Sequence, residues 1–203
     1  MIKVVEKMPI ANFFIVRILN YIRVETDYDE DDVDMMRYSL QAILWEIEKT
    51  LYLLLLFIAL GYQWHFFATL FALITIRPTA GGFHSSTVWG CFAWTLLGFV
   101  LAFFVLPLIP FNQLTIGIVA LFSIVVTFIG TPVRSKQMEK IADPSKDTQK
   151  KYKATLITTI WFMLIFFVPA VQNLFVIEAV MWIIFLQSLQ LIIEYGRREM
   201  DIR

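Results

Sequence analysis

Charge is scarce in this sequence. Only 17% of its 203 residues are Asp, Glu, Lys or Arg, where a soluble globule carries about 25%. Acids and bases also cancel, at seventeen of each, which argues against a nucleic-acid binder because phosphate neutralisation needs a basic face. There is one cysteine, Cys91, so a disulfide within the chain is excluded. The two histidines, His65 and His84, fall at opposite ends of one apolar segment, and zinc wants three or four ligands. No metal is expected. A glycine-rich phosphate loop is missing too, so nothing calls for a nucleotide or any other cofactor. A cleavable leader is not apparent either, since Lys3, Glu6, Lys7, Arg17 and Arg23 interrupt the first stretch.

What the chain does have is apolar length. Apolar residues make up 59%, and crossing ~30 Å of hydrocarbon takes about 20 helical residues. Such stretches fall at Leu40–Leu60, Tyr62–Ile76, Val88–Leu106, Leu114–Thr131, Ala154–Val168 and Leu174–Ile193. Gly61, the Pro107/Pro110 pair with Asn112, Pro132, and Pro169 with Asn173 punctuate them. The expected fold is an all-α polytopic membrane protein of about six spans, forming a single membrane-embedded domain over 1–203. Within it, 1–39 is a cytoplasmic or interfacial segment, 40–193 the bundle with loops at 77–87 and 134–153, and 194–203 a tail. The second and fifth stretches are short, and a four-span arrangement with these two re-entrant stays open.

Basic residues orient the bundle. Lys3, Lys7, Arg17, Arg23, Arg37 and Lys49 lie before or at the start of the first span, and Arg77 follows the second. Arg134, Lys136, Lys140, Lys146, Lys150, Lys151 and Lys153 crowd one loop, and Arg197, Arg198 and Arg203 follow the last span. The other three connectors have none. Positive loops stay inside, so both termini are expected in the cytoplasm of a cell whose membrane the chain crosses several times. Ahead of the first span, Asn12–Arg23 has a narrow polar stripe (Arg17, Asn20, Arg23) on an apolar helix, the pattern of a helix lying in the lipid interface. Glu25–Asp34 then carries seven acids and no base. It reads as a solvated linker or, more sharply, as a docking strip for something basic.

The chemically suggestive stretch is Arg77-Pro-Thr-Ala-Gly-Gly-Phe-His84-Ser-Ser-Thr-Val-Trp-Gly-Cys91. A free thiol, with pKa about 8.5, is mostly protonated at neutral pH and reacts as its thiolate. An imidazole nearby can take that proton and later return it to a leaving amine. Seven residues of helix rise about 10.5 Å, on one face but beyond a hydrogen bond. A working pair therefore needs the chain to leave the helix between His84 and Cys91. Gly81 and Gly82 permit such a departure, and Ser85 or Ser86 can cap the next helix. The same glycines can bring bare N–H groups to a reacting carbonyl, an oxyanion site. A lone cysteine is ordinarily inert filler, and a lone loop histidine ordinarily a surface residue. Their coincidence at one membrane boundary, beside a Gly-Gly turn and an arginine, sets this pair apart.

The motif Arg77-x3-Gly81-Gly82-x-His84-x6-Cys91 resembles that of the accessory gene regulator B family, membrane cysteine endopeptidases of Gram-positive quorum sensing. Met36-Arg37-Tyr38-Ser39-Leu40-Gln41 with Lys49 is similar to the family's start of the first span. Thr131-Pro132-Val133 before the Lys-rich loop is similar to its central cytoplasmic loop. Pro78 and Glu46 depart from common family choices. The resemblance implies an enzyme that cuts the tail from a short precursor peptide, keeps the rest as an acyl-enzyme on Cys91, and releases it as a cyclic thiolactone or lactone. It implies His84 as base, with Arg77, Gly81, Gly82, Gln41, Ser86 and Thr87 supporting, Gln41 by positioning His84 or the substrate carbonyl. A homodimer in the lipid bilayer of a bacterial cell is implied as well, with the site on the cytoplasmic side.

Other polar residues in the apolar stretches include Thr87 and Thr95 beside the reactive helix and Gln187, Gln190 and Glu194 on one face of the last span. These are expected to face the bundle interior and to hydrogen-bond between helices. Rival readings are a non-catalytic transporter, which would want charges at mid-membrane, and a scaffold that presents a peptide. The orientation is directly testable. Single cysteines at Gln113 and Lys146, in a Cys91→Ala background, should react with an impermeant maleimide from opposite sides, Gln113 from outside. Labelling of both from outside overturns it.

Overall fold

The computed structural model describes residues 9–25, 29–82, 87–133, 144–168, 170 and 176–202, and among these there is no strand. Seven α-helices carry the described chain: α1 (Pro9–Glu25), α2 (Glu30–Ala59), α3 (Gln63–Ala80), α4 (Val88–Val100), α5 (Gln113–Gly130), α6 (Pro144–Phe167) and α7 (Ile177–Ile202). The all-helical expectation holds. Three segments are long and apolar enough to cross a membrane: Trp89–Leu108, Gln113–Gly130 and Ile177–Gly196.

The chain divides into two compact units. The first combines Met1–Gly61 with Ser85–Trp94. Here α1 lies on α2 through Ile15, Leu19 and Val33, with Leu40, Leu44 and Trp45 packed against them. The opposite side of α1 leaves Phe13, Phe14, Val16, Ile18 and Tyr21 open, with Arg17 and Asn20 among them. A helix apolar on both faces and polar along a thin line has the composition of an interfacial helix. Much of the acidic run expected as a linker is helical. Glu25 ends α1, and Glu30–Asp34 belong to the start of α2. Acidic residues in a first turn oppose the positive end of the helix dipole, so helix is the favourable outcome there.

The second unit combines Tyr62–His84 with Thr95–Arg203. Its centre is α7, packed by α3, α5 and the segment that follows α4, with α6 against α3 and α5. Helix α5 shows how these elements sort their side chains. Leu114, Ile118, Leu121, Val125 and Phe128 form an exposed stripe at helical spacing, while Ile116, Val119, Ser123 and Thr127 are buried. In water the large apolar residues would be inside. Here they are outside and hydroxyls are inside, as lipid solvation requires. Thr127 and Ser188 bring their hydroxyl oxygens to 3.5 Å across the α5–α7 seam, and Ser188 also donates to the Ile184 carbonyl at 3.1 Å. Gly130 lets the helices close further, its α-carbon side facing the Leu191 side chain.

Several expected ends move. Span two does not stop at Ile76. Helix α3 runs through Arg77 and Pro78 to Ala80, closed by Gly81 N–H donating to the Arg77 carbonyl and by the Thr79 hydroxyl donating to the Ile76 carbonyl. Span five starts ten residues early, so the basic stretch Lys146–Lys153 is helical rather than loop. Span six runs on through the expected tail to Ile202. In each case charge marks where apolarity ends, and backbone hydrogen bonding continues past that point. Past Val100, α4 widens into a π turn (Leu101–Val105) and then tightens into a 3-10 turn (Leu106–Leu108). Pro107 explains both, because it has no N–H for the Phe103 carbonyl and its ring collides with a regular turn. Leu106 N–H reaches back to the Leu101 carbonyl instead.

Candidate active site

Helix α4 begins at Val88, inside the expected window. Its cap is neither Ser85 nor Ser86, as anticipated, but Thr87. The Thr87 hydroxyl accepts from Gly90 N–H at 3.0 Å, and its carbonyl accepts from Cys91 N–H at 3.1 Å. Thr87 is thus exposed and occupied at the helix start rather than buried in the bundle. Ser86 and His84 lie outside the described residues, and with them the expected pairing of imidazole and thiol.

The cap fixes where the thiol stands. Cys91 is half-buried, one turn into α4, where the positive end of the helix dipole favours negative charge on a side chain. Across from it in the same unit is Lys49 of α2, whose ammonium Nζ donates toward Cys91 Sγ at 3.8 Å. Lys49 is only 3% exposed. It forms an ion pair with Glu46 one turn back on α2, whose side chain is 54% exposed. Glu48, also buried, accepts a 2.7 Å hydrogen bond from the Tyr52 hydroxyl. Gln41 is half-buried on α2, eight residues before Lys49, about 12 Å along the helix axis.

Lys49 is the residue that sequence reasoning missed. It was grouped with the positive residues that orient the bundle, at the start of the first span. A signal was available, because Glu46, Glu48 and Lys49 interrupt the apolar stretch Leu40–Leu60 well past its beginning. Charges inside a span are costly and point to the interior or a functional site.

The second unit holds the remaining candidates. Arg77, in the last turn of α3, donates from Nε to Gln187 Oε1 at 3.1 Å and from Nη2 to Gln190 Oε1 at 3.4 Å. Gln187 in turn donates from Nε2 to the Gly81 carbonyl at 2.8 Å. One buried amide therefore ties the arginine to the turn that follows it. Val133 N–H closes the same turn from the other side, donating to the Ala80 carbonyl at 3.1 Å. The polar face of the last span does bond between helices, as expected for Gln187 and Gln190, and its partner is the motif's own arginine.

The Gly-Gly turn is built by Gly81, at φ 81° and ψ −163°, a combination open essentially to glycine alone. A side chain at Gly81 would also run into the Val133 carbonyl. Of the two glycines expected to permit the turn, Gly82 does not carry this strain. A β-carbon there would meet Gln187 Nε2 at 3.6 Å and Arg77 Nε at 3.7 Å, ordinary contacts. His65 rests among aromatic rings, 5.0 Å from Tyr62 and 5.8 Å from Phe103 between centroids.

A helical bundle with apolar residues outward, hydroxyls and amides inward, and a thiol set at a helix start defines a membrane protein with a candidate thiol site. The chain belongs to the accessory gene regulator B family, whose sequence profile (Accessory gene regulator B) matches residues 15–191. Membership places it in the processing of quorum-sensing peptides. It is 27% identical to an AgrB-like protein of Clostridium beijerinckii over 163 residues, 80% of this chain and 78% of that protein. It is 23% identical to AgrB-like protein 1 of Clostridium perfringens (strain 13 / Type A) over 190 residues, 92% of this chain and 98% of that protein. No solved structure matches it.

The two glycines separate cleanly by experiment. Gly81→Ala should destabilise the turn by about 1–3 kcal/mol and lower peptide processing strongly. Gly82→Ala should leave melting in detergent, followed by fluorescence, close to the wild type. Equal effects of the two substitutions contradict the assignment of the turn to Gly81.

Proposed function

We propose that the protein is a membrane cysteine endopeptidase that cuts the C-terminal tail from a short precursor peptide and cyclises the remainder. The observation that carries this reading is the placement of the chain's single cysteine at a capped helix start, beside a buried ammonium, in a member of this family. A helix N-terminus and a nearby cation both favour thiolate over thiol.

The reaction balances with groups that the chain and the peptide supply. The Cys91 thiolate attacks the scissile carbonyl carbon while its former proton sits on the His84 imidazole. The tetrahedral intermediate collapses by breaking the C–N bond, and His84 passes the proton to the departing amine of the tail. A thioester on Cys91 remains. A cysteine thiol or serine hydroxyl inside the bound peptide then attacks that thioester, gives its proton to His84, and displaces the Cys91 thiolate. A thiolactone or lactone leaves. The thioester conserves the activation of the cleaved bond, so ring closure takes no nucleotide. A recessed site keeps water from competing for the acyl-enzyme.

Around this chemistry we place six spans, both termini and the site on the cytoplasmic side of a bacterial cell membrane, and a single membrane-embedded domain that pairs as a homodimer. Arg77, held by Gln187 and Gln190, orients the peptide or the turn that leads to His84. Gln41 and Ser86 are supporting residues, and Thr87 acts through the cap.

Coexpression with the cognate precursor tests the reading. Cys91→Ser and His84→Ala should each lower tail cleavage by at least about a hundredfold while the amount of protein in the membrane stays at the wild-type level. Near-normal cleavage by either variant removes that residue from the mechanism. A transporter or a presenting scaffold predicts no cleavage by the wild type.

A further inference from the structure

Lysine is an expensive residue to bury. Taking an ammonium out of water costs several kcal/mol unless partners replace its hydration. Lys49 is 3% exposed, in a helix stretch where Trp45, Ile47, Leu51 and Tyr52 alternate with Glu46, Glu48 and Thr50. Its ammonium has three N–H donors to satisfy. The Glu46 carboxylate takes one, from a position over half exposed on the same helix face. Another points across to α4, at Cys91 Sγ, 3.8 Å away. A neutral thiol is a weak acceptor and returns little for a buried charge. A thiolate returns a full ionic hydrogen bond.

We propose that the Lys49 ammonium is the counter-ion of the Cys91 thiolate, and that Glu46 shares it. This rests on the reading of Cys91 as nucleophile and adds a residue to it. With Lys49 beside the sulfur, the ammonium faces the charge of the attacking thiolate, and His84 keeps the proton transfers proposed above. When the sulfur is acylated it loses its charge, and the ammonium keeps Glu46 as its partner. When the ring closes, the displaced thiolate returns to Lys49. Stabilising the leaving thiolate assists that second step as much as the first, because a better-stabilised thiolate leaves a thioester faster. Lys49 touches the reacting atom and is in that sense catalytic, whereas Glu46 acts only through it.

Because Cys91 is the sole cysteine, uncharged iodoacetamide reads its thiolate in the full-length protein in native membranes, with no precursor present. At pH 7 the alkylation rate of Lys49→Met, a side chain of similar length, should fall about tenfold, in step with the thiolate population. Lys49→Arg should restore most of the rate, since the positive charge returns. Glu46→Gln should raise it, because the competing carboxylate is gone. Alkylation of the same proteins after denaturation in urea gives the reference rate for equal access. A Lys49→Met rate equal to the wild type, or a Glu46→Gln rate below it, overturns the proposal. If Lys49→Met does not accumulate in the membrane, the Lys49→Arg and Glu46→Gln rates decide the matter on their own. Tail cleavage by wild type against Cys91→Ala is measured in parallel. Cleavage that survives Cys91→Ala refutes the peptidase reading, whereas Cys91-dependent cleavage with an unmoved Lys49→Met alkylation rate refutes the Lys49 role alone.

Discussion

A single side-chain amide, that of Gln187, joins two parts of the motif that are otherwise only neighbours in sequence. Its oxygen accepts from Arg77 and its nitrogen donates to the Gly81 carbonyl. In lipid no water waits to take either group, so an unsatisfied guanidinium or peptide carbonyl costs several kcal/mol. Gln187 satisfies both at once from the centre of the most buried helix of its unit. The end of α3, the direction in which the chain leaves it, and the backbone angles of Gly81 all follow.

The same economy governs the other unit. Few charges are available to this chain, and two of them, Glu48 and Lys49, are held inside on α2. Lys49 bonds to Glu46 and toward Cys91 there, and in the second unit Thr127 meets Ser188 in a helix seam. Large apolar residues do the opposite work and line the exterior, as along α5.

Much of this was legible from the residues alone. Runs such as Leu114–Thr131 and Val88–Leu106 fix their helices to within a residue or two, because length and apolarity decide them. That the Gly81–Gly82 pair lets the chain leave its helix was legible too, and Gly81 does so at positive φ, whereas the relation of His84 to Cys91 falls outside the described residues. What was not legible depends on tertiary partners. Pro78 and Arg77 look like a helix end, yet α3 continues through them because Gly81 N–H and Thr79 provide the closing bonds. Which of two adjacent glycines bears the turn depends on Val133, some fifty residues away in sequence. The capping residue depends on where helix α4 settles, and three hydroxyls in a row offered no means to choose. Lys49 was hidden for a different reason: counted as a topological signal, its charge was read as facing water, and only the approach of α4 turns it into a neighbour of sulfur.

The central claim is that peptide cleavage passes through a thioester on Cys91. Intact-mass spectrometry of the purified protein, quenched in acid shortly after addition of synthetic precursor, tests it most directly. The account predicts an adduct equal in mass to the precursor less the released tail peptide, mapped to Cys91 and released by neutral hydroxylamine. Turnover without any such adduct, or an adduct on another residue that survives hydroxylamine, contradicts it.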